Sequence, residues 1–345
     1  MIYIVSAALS QDKQEALINL QIKLSLVVFP LIFLTRGMNN QELKSISLSF
    51  VLGCLVAFFV SLINATYCYF EHGWWECFFT SYLVYNMHTS YIAMYTVFAL
   101  FIAVRQVIIN PNSLSKVERK LYYISFPLLF IFVILLASKS GYISLGIAIT
   151  FIFIEYVRKK KRLKLALAGL AVFLVLACSL AFNGIVKGKF FQVTETLRIS
   201  EAELFEKHAS TTESSPVRRM IWIESVKIIK NNPMGVGVGD TKEVLKQSFL
   251  NRNMTGAIEK ELNCHNQYLQ TTVSSGYLGL IALIVYLIFP LSATFKRNFE
   301  PTLLFLSTLV IINLFFESMF EVQAGVVYIG FFIGLLVVNK VNSNC

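Results

Sequence analysis

The chain has 345 residues, 56% of them hydrophobic and 14% charged, with a mean hydropathy of +0.65 and a formal net charge of +10. That composition excludes an ordinary soluble globular domain and defines a polytopic membrane protein. The basic excess does not imply nucleic acid, because the Lys and Arg residues sit largely in short loops between apolar runs, where membrane topology requires them.

Met1 to Leu9 is apolar but too short to cross a bilayer alone. It has neither a basic n-region nor a small-residue cleavage site, so it reads as the tail of a helix whose beginning is absent from this chain, not as a signal peptide. Apolar segments then run near 22–35, 46–70, 89–109, 122–137, 140–157, 163–185, 267–290, 302–318 and 324–339. Several are short for a full span, and Pro30 and Pro127 predict kinked, tilted or re-entrant helices in two of them. The expected fold is an all-α polytopic membrane protein of about nine to ten transmembrane or re-entrant helices. Its expected parts are an N-terminal bundle (1–185), one large, mainly helical external segment (186–265) and C-terminal membrane helices (266–345).

Every second loop is basic: Arg36 and Lys44; Arg105, Lys116, Arg119 and Lys120; Arg158 to Arg162 with Lys164; Lys296 and Arg297; and Lys340. If these loops are cytoplasmic, then 10–21, 71–88, 138–140, 186–265 and 319–323 lie outside. Cys68, Cys77 and Cys264 then lie near the external face, where a disulfide is chemically possible, whereas Cys54 and Cys178 fall within apolar runs. The aromatic cluster Trp74, Trp75, Phe78, Phe79 and Tyr82 reads most simply as an interfacial belt.

This topology gathers His88, Lys139, Arg218, Arg219, His265, Glu317 and Glu321 on the external face. Charges beside a hydrocarbon boundary need a partner, water or a ligand of opposite sign. Arg218, Arg219 and Lys139 suit a lipid diphosphate, which arginine grips bidentately and lysine as a point charge. His265 ends a polar stretch just before an apolar run, so a titratable imidazole stands at a membrane mouth as a candidate base. The chemistry that fits is glycosyl transfer from a lipid diphosphate to a hydroxyl. No Asp-x-Asp pair or carboxylate cluster suited to Mg²⁺ is present, so neither metal nor cofactor is expected.

Plainer readings stand beside these. A histidine at a helix start is usually a cap; Arg218 and Arg219 can solvate a loop or pair with Glu213 and Glu224; and Lys139 can anchor a helix end at the headgroups. His88 is as well placed to cap a helix as to meet substrate, and Glu317 and Glu321 to cap a turn as to pair with a site arginine. Gly235, Gly237 and Gly239 mimic half a dinucleotide fingerprint but lack its strand and acidic partner, so a tight turn is the better reading. That turn follows an amphipathic helix over Met220 to Lys230.

These motifs resemble the O-antigen ligase and polymerase group of bacterial membrane glycosyltransferases. The resemblance rests on His265-Asn266 with Gly276-x-x-Gly279, on Arg218 to Trp222, and on Asn232-Pro233-Met-Gly235-Val-Gly237-Val-Gly239-Asp240. It extends to the sequences around His88, Ser138-Lys139-Ser-Gly141 and Phe316 to Glu321, and covers most of the chain from about residue 20. It implies an inner-membrane enzyme with a periplasmic active site that moves a glycan from undecaprenyl diphosphate to a hydroxyl, with lipid A-core the favoured acceptor and no metal or nucleotide. It makes His265 the activating base and Arg218 a diphosphate contact, with Arg219, Lys139, His88, Asn266, Glu317 and Glu321 as substrate-binding candidates. Lys139 stands where arginine is common in that family, and the chain begins where its members have usually already crossed the membrane. A polymerase of the same family is the nearest alternative, and a transporter or flippase of the same lipid is the alternative of another class.

Overall fold

The computed structural model describes residues 2–36, 38–84, 87–160, 184–212, 215–295 and 300–342, and among these no strand occurs. Among the described residues seven helices are long and apolar enough to cross a membrane: Lys13–Arg36, Asn40–His72, Thr89–Ile108, Lys116–Leu136, Lys139–Lys159, Gln267–Thr294 and Gln323–Val341. Pro301–Asn313 is a shorter apolar helix. The predicted segment at 163–185 lies outside the described residues. Pro30 and Pro127 sit inside helices, Ser25–Arg36 and Lys116–Leu136, that continue through them. The outward faces are apolar, with Val56, Val60 and Ile63 on one helix and Leu31 and Leu34 on another all exposed, as lipid-facing residues must be.

The chain forms two compact units. One comprises Arg36–Lys187, Arg297–Asn313 and Asn339–Cys345. Its long helices α1 (Asn40–His72), α2 (Thr89–Ile108), α3 (Lys116–Leu136) and α4 (Lys139–Lys160) pack through aromatic and small side chains. Phe101 stacks on Phe305 with ring centroids 3.9 Å apart, and Phe58 meets Phe132 at 5.2 Å. Gly141 lets α4 approach α2 closely, since a Cβ there would fall 2.8 Å from that of Ala93. Buried polar groups pair: Arg105 binds Glu155 at 2.9 Å and Thr302 at 3.1 Å, and Asn313 donates to Ser144 at 2.9 Å. Caps end the helices, with Asn39 and Ser115 forming capping boxes and Gly73, in the left-handed region, stopping α1. Cys68 and Cys77 are joined by a disulfide.

The other unit comprises Met1–Thr35, Gly188–Lys296 and Leu314–Val338. Its polar part has its own core, in which Leu204, Val217, Met220, Ile221, Leu245, Phe249 and Met254 are all nearly inaccessible. They come from helices Glu201–His208, α5 (Ser215–Asn231) and Thr241–Asn251 and the turns that follow. Beneath the periphery of this core, Glu224 receives Lys227 at 2.8 Å, Ser248 at 2.8 Å and Arg252 at 3.1 Å. Burial by itself raises the Glu224 carboxyl, but those hydrogen bonds and the charges of Lys227 and Arg252 outweigh it and hold the group below the usual carboxylate range.

Candidate functional site

The site grows from one face of α5. Arg218, Trp222 and Ser225 recur at four and three residues, which stacks them along one side of a helix. Two of them reach Cys264, the Trp222 indole donating to its carbonyl at 3.0 Å and Ser225 to its sulfur at 3.3 Å, while Arg218 reaches the loop at 316–317. Burial pushes the Cys264 thiol up to about 12, which leaves it a packing group and not a nucleophile. Arg219, one residue round the helix, turns away and donates to the carbonyls of Thr196 and Ile199 near the end of helix Gly184–Arg198.

His265 follows Cys264 in a left-handed conformation, with φ of 45°, which is uncommon for a residue with a Cβ. Its N–H is taken up by the Asn263 side chain at 2.9 Å. Asn266 then caps helix α6 (Gln267–Thr294) by accepting from Leu269 at 3.1 Å, and its own N–H reaches Ser318 at 3.2 Å. Gln267 ties the helix start to the loop at 314–321: its backbone donates to Leu314 at 2.8 Å, and its side chain accepts from Phe320 at 2.7 Å and donates to Glu321 at 3.0 Å.

That loop supplies Glu317, whose side chain is 4% exposed. One carboxylate oxygen lies 3.0 Å from His265 Nδ1. The other accepts from Arg218 at 2.5 Å, and Arg218 also donates to the Phe316 carbonyl at 2.8 Å. The result is a continuous Arg218–Glu317–His265 line. Arg218 and His265 keep 25% and 16% of their side chains accessible, so the buried carboxylate is flanked by two groups that still meet solvent or a ligand. A carboxylate beside Nδ1 favours the tautomer that carries its proton there.

Four residues on, Glu321 makes a second pair, with Lys23 at 2.9 Å. Lys23 also lies over the Tyr3 ring, 4.5 Å from its centroid. Lys23 is not singled out in the sequence, where its one local signal is a lone charge between the polar and apolar parts of helix Lys13–Arg36.

The glycine motifs explain each other in space. Helix α6 breaks at Gly276, where φ is 66° and ψ is −167°, and the Asn232–Asp240 turn enters the break. Val236 donates to the Val273 carbonyl at 2.8 Å, Gly237 to that of Ser274 at 3.0 Å, and Tyr277 to that of Pro233 at 3.1 Å. The backbones touch so closely that a Cβ on Gly235 would lie 2.5 Å from the Gly276 nitrogen. Carbonyls freed by the break are thus satisfied by the turn, as non-helical backbone in a membrane helix requires. Asp240 closes the turn against the N-terminal segment, accepting from the backbones of Gln11 and Asp12 at 2.8 Å each.

His88 and Lys139 belong to the other compact unit. His88 caps α2, accepting from Ser90 at 3.3 Å, with its ring edge-on to Tyr91. Lys139 opens α4 beside Ser138, whose hydroxyl pairs with Ser140 at 3.1 Å and accepts from the Gly141 N–H at 3.3 Å. Thus Arg218, His265, Asn266, Glu317 and Glu321 share one unit, whereas Arg219 in the same unit is engaged elsewhere. Among the described residues no three His, Cys, Asp or Glu side chains gather as a metal site.

Residues 124–284 match the family model described as O-antigen ligase. The match takes in Arg218, the Asn232–Asp240 turn, His265 and Gly276, and stops before Glu317 and Glu321. No curated protein matches the chain significantly.

Proposed function

We propose, from its O-antigen ligase family region, that this membrane protein is a glycosyltransferase that moves a glycan from undecaprenyl diphosphate to a hydroxyl acceptor, with lipid A-core the favoured acceptor. The reading places the reaction on the periplasmic side of the bacterial inner membrane. The observation that carries it is the Arg218–Glu317–His265 line, with contacts of 2.5 Å and 3.0 Å.

In this mechanism Glu317 acts through His265, and is a positioning residue instead of the substrate contact expected from sequence. It holds Nδ1–H and stabilises the imidazolium that forms. The acceptor hydroxyl attacks the anomeric carbon while its proton passes to Nε2. The new C–O bond forms as the bond to the lipid diphosphate breaks, and the electron pair leaves with the phosphate oxygen. Arg218 faces that growing charge with its remaining N–H donors. Asn266, Glu321 and Lys23 hold the loop that carries Glu317. The reaction is proposed to need no metal, so EDTA is expected to leave it unchanged.

The test is glycan transfer by the full chain in nanodiscs, with purified lipid-linked polymer and lipid A-core. His265→Ala is expected to lower transfer by about 10²–10⁴-fold with folding intact. Transfer that is indifferent to His265→Ala overturns the mechanism. Accumulation of single lipid-linked repeat units in a deletion strain, in place of unattached polymer, replaces the ligase reading with a polymerase.

A further inference from the structure

The external end of α1 carries a feature that the proposed chemistry leaves unused. Six consecutive residues, Glu71 to Glu76, are exposed and are followed by the fully buried Cys77. Trp74 and Trp75 expose 52% and 69% of their surface. They are nevertheless held in place. The Cys68–Cys77 disulfide ties the short helical turn Trp75–Phe78 back to α1. Gly73 turns the chain in the left-handed region, His72 stacks on Trp74 with centroids 4.9 Å apart, and Tyr69 backs Trp75 at 5.0 Å.

Length puts this knob beyond the hydrocarbon. Helix α1 has 33 residues, and its apolar run starts at Ile46. A crossing takes about twenty residues, which ends it near Ala65, roughly two turns before Gly73. Charge then decides between a lipid anchor and something else. The sequence has neither Lys nor Arg between Lys44 and Arg105, so no basic side chain beside the indoles draws them to anionic headgroups. The indoles are flanked instead by the exposed carboxylates Glu71 and Glu76, which anionic headgroups repel. Carboxylates accept hydrogen bonds from hydroxyls, and indole faces carry negative quadrupole density that attracts the C–H face of a sugar ring.

We infer that Trp74 and Trp75, with Glu71 and Glu76, form a disulfide-pinned platform that binds the glycan of the substrate by stacking and hydroxyl recognition. The inference rests on the proposed function for its ligand. The occupant is a neutral or cationic glycan, since an acidic one meets the two carboxylates.

The full chain in nanodiscs tests it, with the water-soluble polymer freed from its lipid diphosphate by mild acid as the probe. Titration calorimetry is expected to show binding that Trp74→Leu and Trp75→Leu each weaken by about three- to tenfold, because leucine keeps apolar partitioning and loses the stacking face. Trp75→Phe is expected to retain most of it, and protection of Cys68 and Cys77 from alkylation verifies that each variant is folded. Equal affinity in the leucine variants overturns the platform. So does tryptophan emission, assigned by difference from the double phenylalanine variant, that is quenched by acyl-brominated lipids and unmoved by polymer; that result makes the knob a membrane anchor. Polymer binding through the tryptophans without any transfer would leave the platform standing and sink the glycosyltransferase reading. Transfer with unaltered polymer affinity in the variants does the reverse.

Discussion

The unit built from Arg36–Lys187, Arg297–Asn313 and Asn339–Cys345 and the unit that holds His265 solve the same burial problem in opposite ways. In the first, long helices run unbroken and meet through Phe58, Phe98, Phe101, Phe132 and Phe305. In the second, a membrane helix is broken at Gly276, a histidine takes a positive φ, the buried Glu317 pairs with a cation 99 residues away and the half-buried Glu321 with one 298 residues away. The first unit has its own exceptions, with Thr80 and Ala137 at positive φ and Glu155 buried against Arg105, but around His265 a positive φ, two long-range ion pairs and a nearby helix break occur together, which marks where the fold is constrained by something besides stability.

That contrast can be broken by mutation. The largest expected effect is on stability in the regular unit: Phe132→Ala, at a fully buried position, should cost about 3–5 kcal/mol. Denaturant or thermal unfolding in detergent measures this, and the KM of the surviving folded protein should not change. Gly235→Ala should cost about 2–4 kcal/mol in the other unit, since alanine is strained at φ of 86° and its methyl meets the Gly276 backbone. If Gly235→Ala is as stable and as active as wild type, the turn is not wedged into the helix break.

Glu317→Gln should lower kcat by about 10–100-fold, as loss of an orienting carboxylate does. The split between kcat and KM separates this from a packing defect: a fall in kcat with KM and unfolding midpoint unchanged is expected, whereas an unchanged kcat in the folded variant argues that Glu317 is only structural. The smallest effect is expected at Glu224. Its carboxyl is held below the usual range when folded, so its contribution is present above the unfolded carboxylate value of about 4.3 and is lost as pH falls through the folded one. Acid unfolding of Glu224→Gln should therefore be less steep in that window than acid unfolding of wild type.

Much of this is legible in the sequence. The apolar runs at 46–70, 89–109, 122–137, 140–157, 267–290 and 324–339 correspond to long helices, because hydrophobicity sustained over a span needs no tertiary context to be read. The shorter run at 302–318 was overextended: the helix ends at Asn313, and the remainder is the loop that holds Glu317. A loop fully knit to a helix start by side-chain bonds carries no local signature different from a helix end. The reading of Gly235 to Gly239 as a turn anticipates its shape but not its seat, and only the family resemblance separates Arg218 from Arg219 in the sequence.

By itself the sequence determined the membrane class, the helical spans and the residue types gathered around His265, since each depends on composition and local periodicity. Only the tertiary structure decided which cation each carboxylate takes, that Arg219 serves a helix end, that Lys23 reaches Glu321, and that two glycine motifs form one backbone contact. Those outcomes join residues 20 to 298 positions apart, as from Arg219 to Ile199 or Lys23 to Glu321, and no local preference encodes them. They are set by which atoms arrive within hydrogen-bonding distance once the helices pack.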